Sequence, residues 1–143
     1  MLQSILVMMC VGPVTDDATE YEVDIRNDVV YSTVGERELL LDAYLAKTED
    51  DRPAVLVIHG GAWRGGNRRQ LAGYAKSLCK MGFNCFAIDY RLAPDHKFPA
   101  QIEDCQSAVK WIRENAERYN VDPERLGAIG YSAGGHLVSL LAT

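Results

Sequence analysis

The run AVLVIHG, from Ala54 to Gly60, is β-branched and aliphatic almost without a break. Such a run suits a strand covered on both faces, as in a parallel sheet. A second run, FNCFAIDYR from Phe83 to Arg91, repeats the pattern. Between them a glycine-rich loop leads into a segment expected to be helical from Arg69 to Met81. After the loop LAPDHKFPA, the residues Ile102, Cys105, Val109, Ile112 and Ala116 recur every three or four positions with charges on the opposite face, the spacing of an amphipathic helix. VDPERLGAIGYS reads as a turn and a strand, and the chain from Ala133 onward as a helix. Strands alternating with helices imply an α/β fold: a mostly parallel sheet, helices on both faces, right-handed crossovers.

Ahead of this region VDIRNDVVYS and GERELLLDAYLA predict an antiparallel strand pair, followed by the charged loop KTEDDRP. The expected order is β-β-β-α-β-α-β-α in one domain spanning residues 23–143, with no linker or repeat. Residues 1–22 read as a leader. Its apolar stretch SILVMMCVG, Ser4 to Gly12, has the length of a signal-peptide core but lacks a preceding Lys or Arg and a clear cleavage site. It is too short to span a bilayer. A degraded export signal, a first strand and an unstructured leader all fit, so the composition leaves localisation open between cytoplasm and export.

Charge is unevenly spread. Residues 1–51 hold 3 basic and 12 acidic side chains, the remainder 12 and 8. Scattered Arg and Lys behind an acidic leader make no nucleic-acid footprint. Arg64, Arg68 and Arg69 form the one tight basic group and read as a solvated helix start, with attraction of an anionic substrate as the alternative. The four cysteines, Cys10, Cys79, Cys85 and Cys105, lack the spacing of a zinc site or disulfide framework. Cys79, Cys85 and Cys105 lie among apolar neighbours and read as small buried residues.

The chemistry concentrates in two motifs. Gly130-Tyr131-Ser132-Ala133-Gly134 is a G-x-S-x-G placed at a predicted strand-to-helix junction. A serine at the tip of so sharp a turn adopts strained backbone angles that expose its hydroxyl. Positions two before and two after it must be small, and both are glycine. The helix that follows aims its first amides at the same point. The second motif, His59-Gly60-Gly61-Ala62-Trp63, directly follows the first buried strand. Acyl transfer needs preorganised amide donors facing an oxyanion. The N–H groups of Gly60, Gly61 or Ala62, together with Ala133, could supply them.

With both motifs in place, the chain resembles the N-terminal half of an α/β-hydrolase of the carboxylesterase kind. It is similar to the hormone-sensitive-lipase-like and bacterial feruloyl- or acetyl-esterase-like groups. The resemblance runs from about Asp28 to Thr143, through HGGAW, DYRLAP (Asp89 to Pro94), FPA (Phe98 to Ala100) and GYSAGGHL. It implies a small-molecule ester substrate, Ser132 as nucleophile, Gly61, Ala62 and Ala133 as oxyanion donors, and no metal or organic cofactor. Relatives often read HGGG and GDSAGG; Ala62-Trp63 and Tyr131 depart from that and leave the substrate open.

In that family the triad acid and base follow the serine in sequence. After Ser132 this chain offers His136 but no Asp or Glu, so the triad acid and base are expected to be absent from it. His136, one helical turn past the serine, is expected inside or under the sheet face in a packing or helix-bonding role. His59 is expected to fix the glycine loop by hydrogen bonding, and His96 to be a surface or loop-ordering residue. Asp89 and Asp95 precede the serine and do not match the family acid; nor does Asp104, expected near a helix start where it favours the macrodipole or anchors a loop. The chain by itself is then expected to be inactive, with self-association possible through an exposed edge at the Ser132 strand. Two other readings stand: a non-catalytic ligand-binding member of the fold, which plant gibberellin receptors resemble, and amidase or formamidase chemistry on the same parts.

Overall fold

Burial on both faces is what the apolar runs require, and the central strands receive it. The computed structural model describes residues 20–143. All but the last three residues of the leader expected at 1–22 lie outside these, as does Cys10. In chain order the elements are β1 (Val23–Val34), β2 (Arg37–Ala46), β3 (Arg52–Ile58), α1 (Ala72–Lys80), β4 (Asn84–Ile88), α2 (Ala100–Glu114), β5 (Val121–Gly130) and α3 (Ala133–Leu141), with a 3-10 turn at Glu117–Tyr119. The strands form one sheet in the order β1-β2-β4-β3-β5. β1 and β2 pair antiparallel, as does β2 with β4, whereas β3 runs parallel to both β4 and β5. The sheet is therefore mixed, its parallel part being the three strands that carry the site.

Helices cover both faces. Alternating β3 residues send Ala54, Leu56 and Ile58 to one core, with Phe86, Ile88, Ile102, Cys105, Ile112 and Leu137, and Val55 and Val57 to the other, with Ala75, Cys79, Cys85 and Ala87. Helices α2 and α3 close the first face and α1 the second. Each fully buried large aliphatic side chain adds about 1.5–3 kcal/mol of burial energy. Cys79, Cys85 and Cys105 are buried free thiols, as the sequence suggests. Burial pushes the Cys79 thiol up to about 11 and the Cys105 thiol up to about 12, so neither is a nucleophile near neutrality. No helix among the described residues is long and apolar enough to cross a membrane.

Two expectations are corrected. Helix α1 begins at Ala72 and not at Arg69, because the preceding residues are tied elsewhere. The Arg68 N–H donates to Asp89 Oδ1 at 2.7 Å and the Arg69 N–H to Asn67 Oδ1 at 2.9 Å. Arg68 is also not part of a solvated helix start. Its side chain is only 11% exposed and reaches three carboxylates, Asp28, Asp42 and Asp89. Burial works against the charge, but the hydrogen bonds that Arg68 donates to Asp42 and Asp89, with the attraction of both carboxylates, outweigh it and hold the guanidinium above its ordinary pKa. Arg64 and Arg69 remain exposed.

Candidate active site

At the C-terminal end of β5 the chain turns abruptly into α3, and Ser132 sits at the apex with φ 53° and ψ −116°. A non-glycine residue with such angles is strained, and strain of this kind persists only when the surroundings over-determine it. Two close approaches do so here. A Cβ on Gly130 would lie 2.4 Å from the Gly134 backbone, and a Cβ on Gly134 would lie 2.1 Å from the Ile58 carbonyl oxygen. Both glycines are thus required by contact, which fits the sequence reading of small residues flanking the serine. Ser132 is left exposed, and Ala133 and Gly134 are buried beneath it.

The glycine loop after β3 stands directly against this turn. A Cβ on Gly60 would lie 2.8 Å from the Tyr131 carbonyl oxygen and 3.4 Å from Ser132 Cβ. Gly61, Ala62 and Trp63 all take positive φ, at 124°, 51° and 59°, and the N–H groups of Arg64 and Gly65 close the turn onto the Gly61 carbonyl at 3.0 Å each. The amides of Gly60, Gly61, Ala62 and Ala133 make no hydrogen bond among the described residues. Gly60 and Ala133 are buried, where unpaired backbone donors are rare, whereas Gly61 and Ala62 are open to solvent. Two segments that meet at Ser132 thus carry four amides without a protein partner among the described residues.

Three consecutive residues after β4 hold this arrangement in place, each gripping a different element. Asp89 accepts from Arg68, with an Nη1 to Oδ2 distance of 2.6 Å. Tyr90 stacks on the His59 ring, centroids 4.3 Å apart and 10° from parallel, and its hydroxyl donates to the His59 carbonyl at 2.9 Å. Arg91 clasps Asp104 of α2, donating from Nε at 3.0 Å and from Nη2 at 2.8 Å. Asp104 therefore anchors a loop, one of the two roles expected for it. The Trp63 carbonyl accepts from the Ala93 N–H at 2.8 Å, which ties the glycine loop to the segment that follows.

His59 is buried, and its Nδ1 donates to the Gly60 carbonyl at 2.6 Å. This is the loop-fixing hydrogen bond expected of it. Burial lowers its pKa below the usual histidine value, although the Gly60 carbonyl and Asp89 pull the other way. The neutral ring is thus the folded form near pH 7. Because the folded pKa lies below the unfolded one, this group's contribution to stability is complete above pH ~6.5 and falls as the pH drops toward the folded pKa. Denaturation midpoints measured from pH 7.5 to 5 should fall in the native protein, and the part due to this ring should disappear in His59→Asn.

His136 corrects the sequence expectation. It is not under the sheet but exposed on α3, one turn past Ser132, with its ring edge-on to Trp63 at 5.4 Å and 87°. His96 lies in its own loop, where its carbonyl accepts from Gln101 Nε2 at 2.7 Å. No hydrogen bond joins Ser132 Oγ to a histidine or carboxylate among the described residues. A cleft of about 350 Å³ opens between the glycine loop, the first turns of α3 and the start of α2; His136, one helical turn past Ser132, lines it, and Ser132 itself does not. Of its walls, the sequence singled out Ala62, Trp63, Arg64, Phe98 and His136, but not as neighbours of one another across three segments, nor with Lys97 and Gln101. No periodicity announces that three separate segments meet there.

A strained serine at a strand-to-helix turn, faced by a glycine loop on the neighbouring parallel strand, defines an α/β-hydrolase fold of the carboxylesterase kind. The chain belongs to the BD-FAE family, which it matches over residues 41–143. Among curated relatives it is 40% identical over 105 residues to an esterase, LipC, of Mycobacterium tuberculosis, covering 71% of this chain and 26% of the relative. It is 36% identical over 110 residues to an arylesterase of Saccharolobus solfataricus, covering 73% and 36% respectively. Among solved structures it is similar to a thermophilic esterase, Est2, of Thermogutta terrifontis, with a TM-score of 0.73 and 31% identity over 86% of this chain and 44% of that one. The chain thus spans less than half the length of each of these relatives.

Proposed function

We propose that the protein is a serine hydrolase of carboxylic esters in which Ser132 attacks the ester carbonyl. The amides of Gly60, Gly61, Ala62 and Ala133 receive the oxyanion, and water releases the acyl enzyme. The observation that carries this reading is the meeting of the exposed, strained Ser132 with unpaired amides on two segments. Each such donor is worth about 2.7–4 kcal/mol to the transition state where it has been removed. The esterase names of the relatives support the same substrate class.

A serine hydroxyl needs a base to become a nucleophile at neutral pH. His59 is committed to the Gly60 carbonyl, and His136 rises from the same helix as Ser132 and faces Trp63. The reading therefore assigns neither the acid nor the base to a described residue, and Ser132 by itself is a poor nucleophile at neutral pH.

Paraoxon tests the assignment, since a Thermogutta terrifontis esterase of similar structure is phosphorylated by it. In the longest natural polypeptide that carries this sequence, mass spectrometry should place a diethyl phosphoryl group on Ser132. Ser132→Ala should abolish the label and lower hydrolysis of p-nitrophenyl butyrate at least ~10³-fold. Absence of label from the unmodified protein would favour a ligand-binding member of the fold. Faster cleavage of the matching anilide than of the ester would favour an amidase.

A further inference from the structure

Tyr90 is buried, at 2% exposure, yet carries a hydroxyl that must find a partner. It donates to the His59 carbonyl at 2.9 Å, and its ring lies flat on the His59 ring. That carbonyl belongs to the same peptide unit as the Gly60 N–H. In a trans peptide the C=O and the N–H point opposite ways, so fixing the carbonyl also aims the amide.

The next two peptides are held in the same manner. The Gly60 carbonyl, which shares its peptide with the Gly61 N–H, accepts from His59 Nδ1 at 2.6 Å. The Gly61 carbonyl, which shares its peptide with the Ala62 N–H, accepts from the Arg64 and Gly65 N–H groups at 3.0 Å each. Three successive carbonyls are thus held, while the three amides opposite them make no hydrogen bond among the described residues. The first hold is Tyr90 itself, and the second is a ring that Tyr90 supports. Backbone crowds both carbonyls: a Cβ on Gly134 would lie 2.7 Å from the His59 carbonyl oxygen, and one on Gly66 would lie 2.4 Å from that of Gly60. Tyr90 is in turn fixed by its neighbours, Asp89 on Arg68 and Arg91 on Asp104.

We propose that Tyr90 is a positioning residue for ester hydrolysis, which through the carbonyl and the ring of His59 sets the direction of the Gly60 and Gly61 amides. It acts through the loop and not on the ester itself. The proposal rests on the hydrolase reading, and paraoxon labelling of the unmodified protein tests that reading separately.

The longest natural polypeptide carrying this sequence is compared with Tyr90→Phe, which keeps the stacked ring and loses the hydroxyl, and with Tyr90→Leu, which loses both. With p-nitrophenyl butyrate, kcat is expected to fall about tenfold in the first and about 10²-fold in the second. KM should stay nearly constant, because mis-aimed donors weaken the transition state and not the bound ester. Ile112→Val, a buried change near the opposite end of α2 from Asp104, controls for lost stability and should leave both constants unchanged. Circular dichroism fixes a temperature at which every variant is folded.

An NMR readout needs no turnover. Histidine labelled at the carbonyl carbon, together with nitrogen-labelled glycine, isolates the peptide between His59 and Gly60, the one His-Gly pair among the 143 residues. Tyr90→Phe should move that carbonyl signal upfield, because the oxygen loses its donor. An unmoved signal, kcat in Tyr90→Phe within twofold of the unmodified enzyme, or a loss carried wholly by KM overturns the inference. With paraoxon label on Ser132, any of these refutes the role of Tyr90 alone. Absence of label from the unmodified protein refutes the hydrolase reading and the positioning role with it.

Discussion

Replacing Gly134 by alanine is expected to destabilise the protein by about 3 kcal/mol or more, at the upper end of what an added methyl group in a packed interior costs. Gly134 is the second residue of α3, and on propensity alone alanine would strengthen that helix by about 0.5–1 kcal/mol. Contact decides against propensity. The new Cβ would fall 2.1 Å from the Ile58 carbonyl oxygen and 2.7 Å from that of His59. Both are backbone atoms at the end of β3, so no flexible side chain can swing aside. The helix must lift from the sheet, carrying Ser132 away from Gly60. Gly73→Ala is the internal control: it is also helical, in α1, and a Cβ there meets nothing within 4 Å. Urea denaturation should show a large drop for the first variant and no drop, or a small gain, for the second. Similar midpoints for both would show that α3 does not need this close approach.

The second large effect is expected at Arg68. Its guanidinium reaches Asp42 at 2.9 Å and Asp89 at 2.6 Å, and also pairs with Asp28. Asp42 is only 1% exposed, and its second oxygen, Oδ2, has no hydrogen-bond partner. Arg68→Met would leave that carboxylate buried with the neutral Asp28 N–H at 2.9 Å and, as its one remaining cation among the described residues, the more distant Arg69, 3.6 Å away and itself exposed. Removing one partner of a buried pair costs about 3–5 kcal/mol, most of it the penalty of the orphaned charge. Lys47→Met provides the comparison, because the Lys47–Glu22 pair at 3.1 Å is exposed on both sides and its loss should change stability by less than about 1 kcal/mol. Adding Asp42→Asn to Arg68→Met should recover part of the loss, since it removes the orphaned charge. If Arg68→Met and Lys47→Met behave alike, the cluster is no more than a surface network.

This cluster is also where sequence and structure part. Arg64, Arg68 and Arg69 are close in the chain and look alike in it, so composition treats them as one solvated group. In the fold they separate: Arg68 turns inward to β1, β2 and the end of β4, Arg69 stays at the rim of that cluster, and Arg64 faces the cleft. Partners that lie 21 to 40 residues away decide this, and no local pattern records them. The early start expected for α1 failed because residues 67–72 form successive turns, with the Gln70 N–H bonded to the Asn67 carbonyl and the Ala72 N–H to the Arg69 carbonyl, while Asp89 holds the Arg68 amide. His136 was misplaced because helical spacing gives its angle to Ser132 but not which way α3 rolls on the sheet.

What the sequence by itself determined is the element order, the two-faced burial of β3 and β4, and the two motifs that meet at Ser132. Those features depend on short-range rules: hydrophobic period, β-branching, and glycine where a backbone must pass another closely. Tertiary structure alone decided that β2 also pairs antiparallel with β4, which arginine is buried, how Asp89, Tyr90 and Arg91 each brace a different element, and that Trp63, Phe98, Arg64 and Lys97 share one cleft. Such contacts join segments far apart in the chain. They are set by how helices and strands stack, and only when the layers close do their side chains meet.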